Sequence, residues 1–322
     1  MPTRNTPTHS RRHQRGAALL TAMIIVTLVA TLASAMVWQQ WRAVQVESAE
    51  RARTQAAWIL SGALDFARLI LKEDLRSGRP TALTEPWATP LAEARLSTFL
   101  AVDKSNADDG PEAFLSGTIT DAQARYNLAN LVSPAVGTTP SKVDGLEVAT
   151  LERLCQAVGI ESGIARRLAD GLLAAANGSA AAAPLQPRSV AQLVWLGLDV
   201  ASIKALQPYV VLLKEPTPVN VNTASKEVLT AAIKGLDLAT AERLVQMRQR
   251  APFKTVQAFT NEISGLAPFT AKLEVRSSHF EVRARLRLVD RVLVERTLLQ
   301  RLPNGQFNVL ERERIASLEQ IS

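Results

Sequence analysis

The sequence predicts an α+β protein in which one very long N-terminal helix packs on a small antiparallel sheet that a large all-α insert interrupts. Three observations carry this. An uncharged run from Ala17 to Trp41 continues, without a proline, into a stretch with apolar residues at helical spacing. Phe114–Thr120 and Phe280–Leu288 alternate in the period-2 manner of strands. Between them, from about residue 126 to 275, the pattern is helical.

The N-terminal element comes first. Residues 1–16 carry Arg4, Arg11, Arg12 and Arg15 and no acid, and the 25 residues from Ala17 to Trp41 carry no charge at all. As a helix that run spans about 37 Å, enough to cross a bilayer core. Trp38 and Trp41 fall at its far end, where interfacial aromatics belong, and the arginines before it place the N-terminus in the cytoplasm. A secretory signal peptide would need an apolar core of about 7–15 residues followed by a small-residue cleavage site, whereas this run is longer and goes on as helix. Residues 42–77 hold no proline and one glycine, Gly62. Their apolar positions, Val44, Ala52, Ala56, Ile59, Ala63, Phe66, Ile70 and Leu71, keep close to a 3.6 period, and Gly78 and Pro80 stop the helix.

A short basic leader ending in Arg15-Gly16, followed at once by the apolar run, resembles the type IV prepilin class. The resemblance implies cleavage between Gly16 and Ala17 by a prepilin peptidase and N-methylation of Ala17. Ala17 stands in place of the usual Phe, and Thr21 occupies the fifth mature position, where most of the class carries Glu. A missing fifth-position Glu marks the minor pseudopilin K family of type II secretion systems (general secretion pathway protein K). A carboxylate in hydrocarbon is costly unless paired, so a subunit with no neighbour beyond it does better with Thr.

Residues 79–111 are rich in Pro, Ala and Asp and read as irregular, before the strand Phe114–Thr120. Asp121-Ala-Gln-Ala-Arg-Tyr-Asn-Leu-Ala-Asn-Leu131 then resembles the K family's Asp-x-x-Gly-Arg-Phe-Asn-Leu-Asn signature, with Ala124 and Ala129 as departures. The helical insert carries a duplication: Leu154–Leu168 aligns with Thr230–Leu244 at an offset of 76, matching Gly159 with Gly235, Ala165 with Ala241 and Leu168 with Leu244. Each copy reads as helix, tight glycine turn, helix. Asn222 or Thr223 can cap the first helix of the second copy, with Glu227 in its first turn. Arg248-Gln-Arg-Ala-Pro-Phe253 follows that copy. The pair resembles a helix-hairpin-helix module of DNA-uptake proteins and also the paired SAM-like domains of K subunits. At the end, Val282, Ala284, Leu286 and Leu288 alternate with Arg283, Arg285 and Arg287, a solvated row, and Val292–Leu299 reads as the antiparallel partner.

With the resemblance, the expected order is a prepilin leader (1–16), a transmembrane and amphipathic helix (17–78), a linker with strands (79–125), two SAM-like subdomains (126–215 and 216–275) and C-terminal strands with a tail (276–322). The fold implied is the type IV pilin-like one with a SAM-like insert.

Function classes can be excluded in turn. The net charge of +7 shrinks once the leader is set aside: without its four arginines, 33 cations face 30 anions, too even for a phosphate-binding surface. A DNA-binding hairpin needs a Gly-x-Gly turn to admit phosphate, and here the turns read Gly159-Ile-Glu161 and Gly235-Leu-Asp237, with carboxylates at the second position. There is no phosphate-binding loop with Lys, no Gly-x-Ser-x-Gly and no His-Glu-x-x-His, so no enzyme is expected. Cys155 reads as a buried hydrophobe, and His9, His13 and His279 are too few for a metal site. The K resemblance brings calcium into consideration at the acidic segment holding Asp103, Asp108, Asp109 and Glu112. That segment fails the EF-hand pattern and reads as a solvated loop, so no metal ligands and no cofactors are assigned.

The resemblance implies a single-pass inner-membrane protein with a periplasmic head that starts or caps a pseudopilus. Its implied partners are the other minor pseudopilins, the major pseudopilin, the inner-membrane secretion platform, the prepilin peptidase and inner-membrane lipid, with no nucleic acid. The rival reading is a membrane-tethered helix-hairpin-helix receptor for DNA uptake.

Overall fold

A computed structural model of the chain describes residues 12–96, 113–135, 140–178, 184–263, 272–288 and 291–316. The acidic segment read as a solvated loop, including Asp103, Asp108, Asp109 and Glu112, lies outside the described residues. The chain divides into two units, residues 1–59 and 60–322.

In the first unit the described residues form one continuous stretch of α1 (Arg12–Arg76). Its apolar side chains from Leu19 to Val37 lie more than half exposed, as do Trp38 and Trp41. By length and composition α1 is able to cross a membrane. Its hydroxyls are satisfied within the helix: Thr21 Oγ1 donates to the Ala17 carbonyl at 2.8 Å, Thr31 Oγ1 to Leu28 at 2.9 Å and Ser34 Oγ to Ala30 at 2.8 Å. In hydrocarbon no water is available for them, so this back-bonding keeps polar residues tolerable there.

In the second unit α1 ends where the sequence indicates. Gly78 adopts φ +68°, the left-handed conformation that closes a helix, and its N–H donates to the Leu75 carbonyl. The strands are β1 (Leu91–Arg95), β2 (Ala113–Asp121), β3 (Tyr126–Asn127), β4 (Val132–Ser133), β5 (Lys142–Val143), β6 (Val210–Val211), β7 (Val219–Asn220), β8 (Leu273–Glu274), β9 (His279–Leu288), β10 (Arg291–Arg301) and β11 (Phe307–Ala316). β1, β2, β9, β10 and β11 form one five-stranded antiparallel sheet in that order. Leu64, Ala67 and Leu71 of α1 are buried with Phe280, Val282 and Leu299 of the sheet and with Trp87. Trp87 meets Phe280 edge-on at 5.5 Å between ring centroids. The predicted alternation of β9 holds: Val282, Ala284, Leu286 and Leu288 are buried. On the other face Arg285 and Arg287 reach Glu93 of β1, and Arg287 also lies 4.0 Å over the Phe114 ring.

Between β2 and β9 lies the insert, with α2 (Gly145–Ala157), α3 (Gly163–Asn177), α4 (Val200–Leu206), α5 (Lys226–Ala232), α6 (Leu238–Arg250) and α7 (Val256–Thr260). It is not wholly helical as expected, because three two-residue pairings (β3 with β6, β4 with β5, β7 with β8) tie its loops together. The duplicated segments form the helix pairs α2–α3 and α5–α6, turned by Gly159 at φ +76° and Gly235 at φ +89°. Leu151, Leu154 and Cys155 of α2, Leu168 of α3, Val228 and Leu229 of α5 and Leu244 of α6 belong to a single apolar cluster.

Three expectations need correction. Residues 79–111 are not all irregular: β1 and the single turn Pro86–Ala88 lie there. Beyond the expected β9–β10 pair the sheet gains β11. The cap of α5 is Ser225, whose side chain accepts from Val228 N, because Asn222 and Thr223 are used in buried contacts described next.

Candidate functional site

The polar residues of the Asp121–Leu131 segment gather at the joint between sheet and insert. Asp121 ends β2 and is 4% exposed. Its Oδ2 accepts from Thr223 Oγ1 at 2.6 Å, Ser277 Oγ at 2.6 Å and Asn220 Nδ2 at 3.0 Å, while Oδ1 accepts from Gln123 N at 2.8 Å. Burial pushes its pKa up, and these four hydrogen bonds pull against that rise. Asn220 Nδ2 also lies 3.0 Å from the Thr81 carbonyl, just beyond the end of α1. One carboxylate thereby links β2, the insert and the chain entering β9.

Its neighbours extend the joint. Gln123 Nε2 donates to the Pro218 carbonyl at 3.1 Å, and its Oε1 accepts from Ser278 N at 2.7 Å. Arg125 pairs with Glu281 of β9 at 2.9 Å. Tyr126 Oη donates to Glu147 Oε2 at 2.9 Å, and burial with that carboxylate holds the phenol pKa well above its usual value. Asn127 Nδ2 donates to the Glu215 carbonyl at 2.7 Å, and Asn130 exchanges two hydrogen bonds with the Thr217 backbone at 3.0 and 2.9 Å. Asn222 likewise brackets the Phe253 backbone, donating and accepting at 2.9 Å. Leaving any of these buried groups unmatched is expensive, so the segment's sequence is tied to one geometry.

A second buried polar contact fixes α1 to the sheet. Arg301 of β10 bonds Asp74 Oδ2 at 2.7 Å and the Leu71 carbonyl at 2.9 Å, reaches the Ser277 carbonyl at 2.9 Å, and lies 4.8 Å over the Phe280 ring. Sequence reading missed Arg301, Asp74, Asn220 and Ser277. Pro218-Val-Asn-Val-Asn-Thr223 was the available signal, since consecutive Asn and Thr between two elements bond backbone as readily as they cap helices.

Of the insert's two turns, the second carries a side-chain helix cap and the first does not. Asp237 Oδ1 accepts from Thr240 N at 2.9 Å and Oδ2 from Thr240 Oγ1 at 2.7 Å, which lowers its pKa. A carboxylate of the chain itself thus takes one of the first α6 amides and places a negative charge at that helix's N-terminus. Glu161 pairs with Arg167 at 3.0 Å. Cys155 is fully buried, with burial pushing its thiol up to about 11, and Arg248 is held by the Val221 carbonyl at 2.6 Å with burial lowering it to about 10. Among the described residues no three His, Cys, Asp or Glu come together as a metal-binding group. The arrangement can lock the sheet and the insert in register.

The sequence-predicted processing residues belong to the first unit. Gly16, Ala17 and Thr21 all fall within α1, and Ala17 and Thr21 are exposed.

The family described as type II secretion system (T2SS), protein K matches residues 219–282, from β7 into the first four residues of β9. The type II secretion system protein K of Pseudomonas aeruginosa (strain PAO1) is 30% identical over 94% of this chain and 93% of its own length. That of Klebsiella pneumoniae is 30% identical over 93% of this chain and 96% of its own. Among solved structures, a chain of the GspK-GspI-GspJ complex from enterotoxigenic Escherichia coli superposes with a TM-score of 0.66 at 21% identity, covering 84% of this chain and 99% of that one. That match supports the mixed helical and antiparallel-sheet fold.

Proposed function

The chain belongs to the type II secretion system protein K family, and from that premise we propose that it is the minor pseudopilin that starts or caps the tip of a periplasmic pseudopilus, helping to drive folded proteins across the outer membrane. The observation that carries this reading is similarity to K proteins across 94% of the chain. α1 then anchors the protein in the inner membrane by its exposed apolar stretch, with the leader in the cytoplasm and residues 60–322 in the periplasm. The leader is removed between Gly16 and Ala17, Ala17 is N-methylated, and Thr21 takes the fifth mature position. α1 with the five-stranded sheet forms the pilin-like part, and the α2–α3 and α5–α6 pairs form the two SAM-like subdomains.

Two features favour the tip over the shaft. A unit of the size of residues 60–322 has a radius of gyration near 18 Å and a diameter of about 45 Å, bulky for a subunit stacking repeatedly round a thin fibre. Thr21 offers no carboxylate to a neighbour's terminal amine, which is tolerable once per fibre, at its end. Asp237 weighs against the rival DNA-receptor reading, because its carboxylate stands at the N-terminus of α6 and would repel a phosphate there. The partners on this reading are the other minor pseudopilins and, below them, the major one, with the role structural and no catalysis. Size-exclusion chromatography with light scattering on the full chain in detergent tests it. Mixing with the other minor pseudopilins should give a stable heteromer and no homopolymer. Copy numbers in purified fibres equal to the major subunit would refute the tip assignment.

A further inference from the structure

β11 is the last strand of the sheet, ten residues long, and among the described residues no strand pairs with its outer edge. An open edge of that length is a template for another chain, and proteins commonly guard such edges with charge or bulges. Here both occur: the β10–β11 register shifts between Leu298 and Leu299, leaving Leu310 over, and Val309 and Leu310 are 44% and 37% exposed.

The charges are arranged by face. Arg312 and Arg314 lie on the side of Glu295, which is 2% exposed and takes Arg312 Nε at 2.7 Å and Arg314 Nε at 3.1 Å. Glu311 and Glu313 lie on the opposite side and share Arg296, at 3.7 and 3.1 Å, which Glu281 also approaches at 3.7 Å. On each side β10 offers one charge against two on β11. The edge therefore carries surplus positive charge on one face and surplus negative charge on the other.

This pattern disfavours a second copy. Two β11 edges related by a two-fold axis pair antiparallel, and the pleat puts residues of the same parity opposite one another. Arg312 would then face Arg312 or Arg314, and Glu311 would face Glu311 or Glu313, like charges in direct cross-strand contact. A different chain in the opposite phase meets opposite charges on both faces. We propose that the outer edge of β11 receives an extended strand of another polypeptide, with carboxylates on the Arg312 and Arg314 face and cations on the Glu311 and Glu313 face. This reading stands on the edge itself and not on the chain's place in the pseudopilus.

Two synthetic peptides of identical composition, each flanked by Thr-Val and Val-Thr, test it on the full chain in detergent. One has the centre Glu-Lys-Glu-Lys, with one sign per face; the other has Glu-Glu-Lys-Lys, with both signs on each face. Fluorescence anisotropy should show the alternating peptide binding at least tenfold tighter, and hydrogen exchange should slow at 307–316 and not elsewhere. The variant Glu311→Gln/Glu313→Gln, which leaves the Glu295 pairs intact, should cut that preference below threefold. Equal affinity for the two peptides, absence of binding, or protection elsewhere in the chain would overturn the proposal. So would protection of 307–316 without peptide, whether constant or growing with protein concentration, since the edge would then be covered by its own chain or by a second copy.

Discussion

Replacing Asp121 by Ala removes an acceptor on which four donors converge. Two of them have somewhere else to go. Asn220 keeps the Thr81 carbonyl at 3.0 Å, and Thr223 Oγ1 already lies 3.4 Å from the Asn220 carbonyl. Gln123 N–H and the Ser277 hydroxyl are left stranded in a buried site. At about 1–3 kcal/mol for each unsatisfied donor, less what is recovered by no longer burying a carboxylate, the net loss is about 3 kcal/mol. Asp121→Asn keeps the shape and one acceptor oxygen and should cost about half as much. Urea unfolding of the full chain in detergent reads the loss, and hydrogen exchange should show β9 and α2 losing protection together. A stability within about 0.5 kcal/mol of wild type for Asp121→Ala would refute the joint as a determinant of the fold. The pH dependence has a sign. Burial raises the Asp121 pKa, so its contribution to stability is fullest below the ordinary value of 3.8 and is lost as pH rises through the higher folded value. The margin of wild type over Asp121→Asn should therefore widen as pH falls from 7 towards 4.

Arg301→Met should destabilise by about 3–5 kcal/mol in the same urea assay, because Asp74 is left buried without its cation, and adding Asp74→Leu should restore much of the loss. Cys155 should resist alkylation at pH 8 in the folded chain and react once the chain is unfolded, since burial both hides it and raises its pKa to about 11. The full chain should show no salt-sensitive affinity for duplex DNA at micromolar concentration; binding that weakens steeply with added salt would restore the uptake reading.

Elements that bury one face were legible in the sequence, and those that do not were hidden. β9 announces itself because Val282, Ala284, Leu286 and Leu288 are buried while arginines fill the other side. The end of α1 was legible from Gly78, and the insert's turns from Gly159 and Gly235, all at positive φ. β1, Leu-Ala-Glu-Ala-Arg, has a helix-forming composition and is an edge strand held by β2 and by Glu93. β11 has no apolar alternation through Glu311–Arg314, because both of its faces are charged there. The Asp121 joint was legible only as a resemblance to a family signature. Its side-chain partners lie 99 to 156 residues away, a separation that local periodicity does not encode.

The central claim, that this is a processed and membrane-anchored pseudopilin, rests on the chain being cut between Gly16 and Ala17, in the first turns of α1. Co-expression of the full chain with a prepilin peptidase, followed by intact-mass analysis of the membrane fraction, tests it most directly. The expected mass is that of a chain beginning at Ala17 with one added N-methyl group. A chain beginning after Ala33 or Ala35, as an ordinary signal peptidase would leave it, would contradict the assignment.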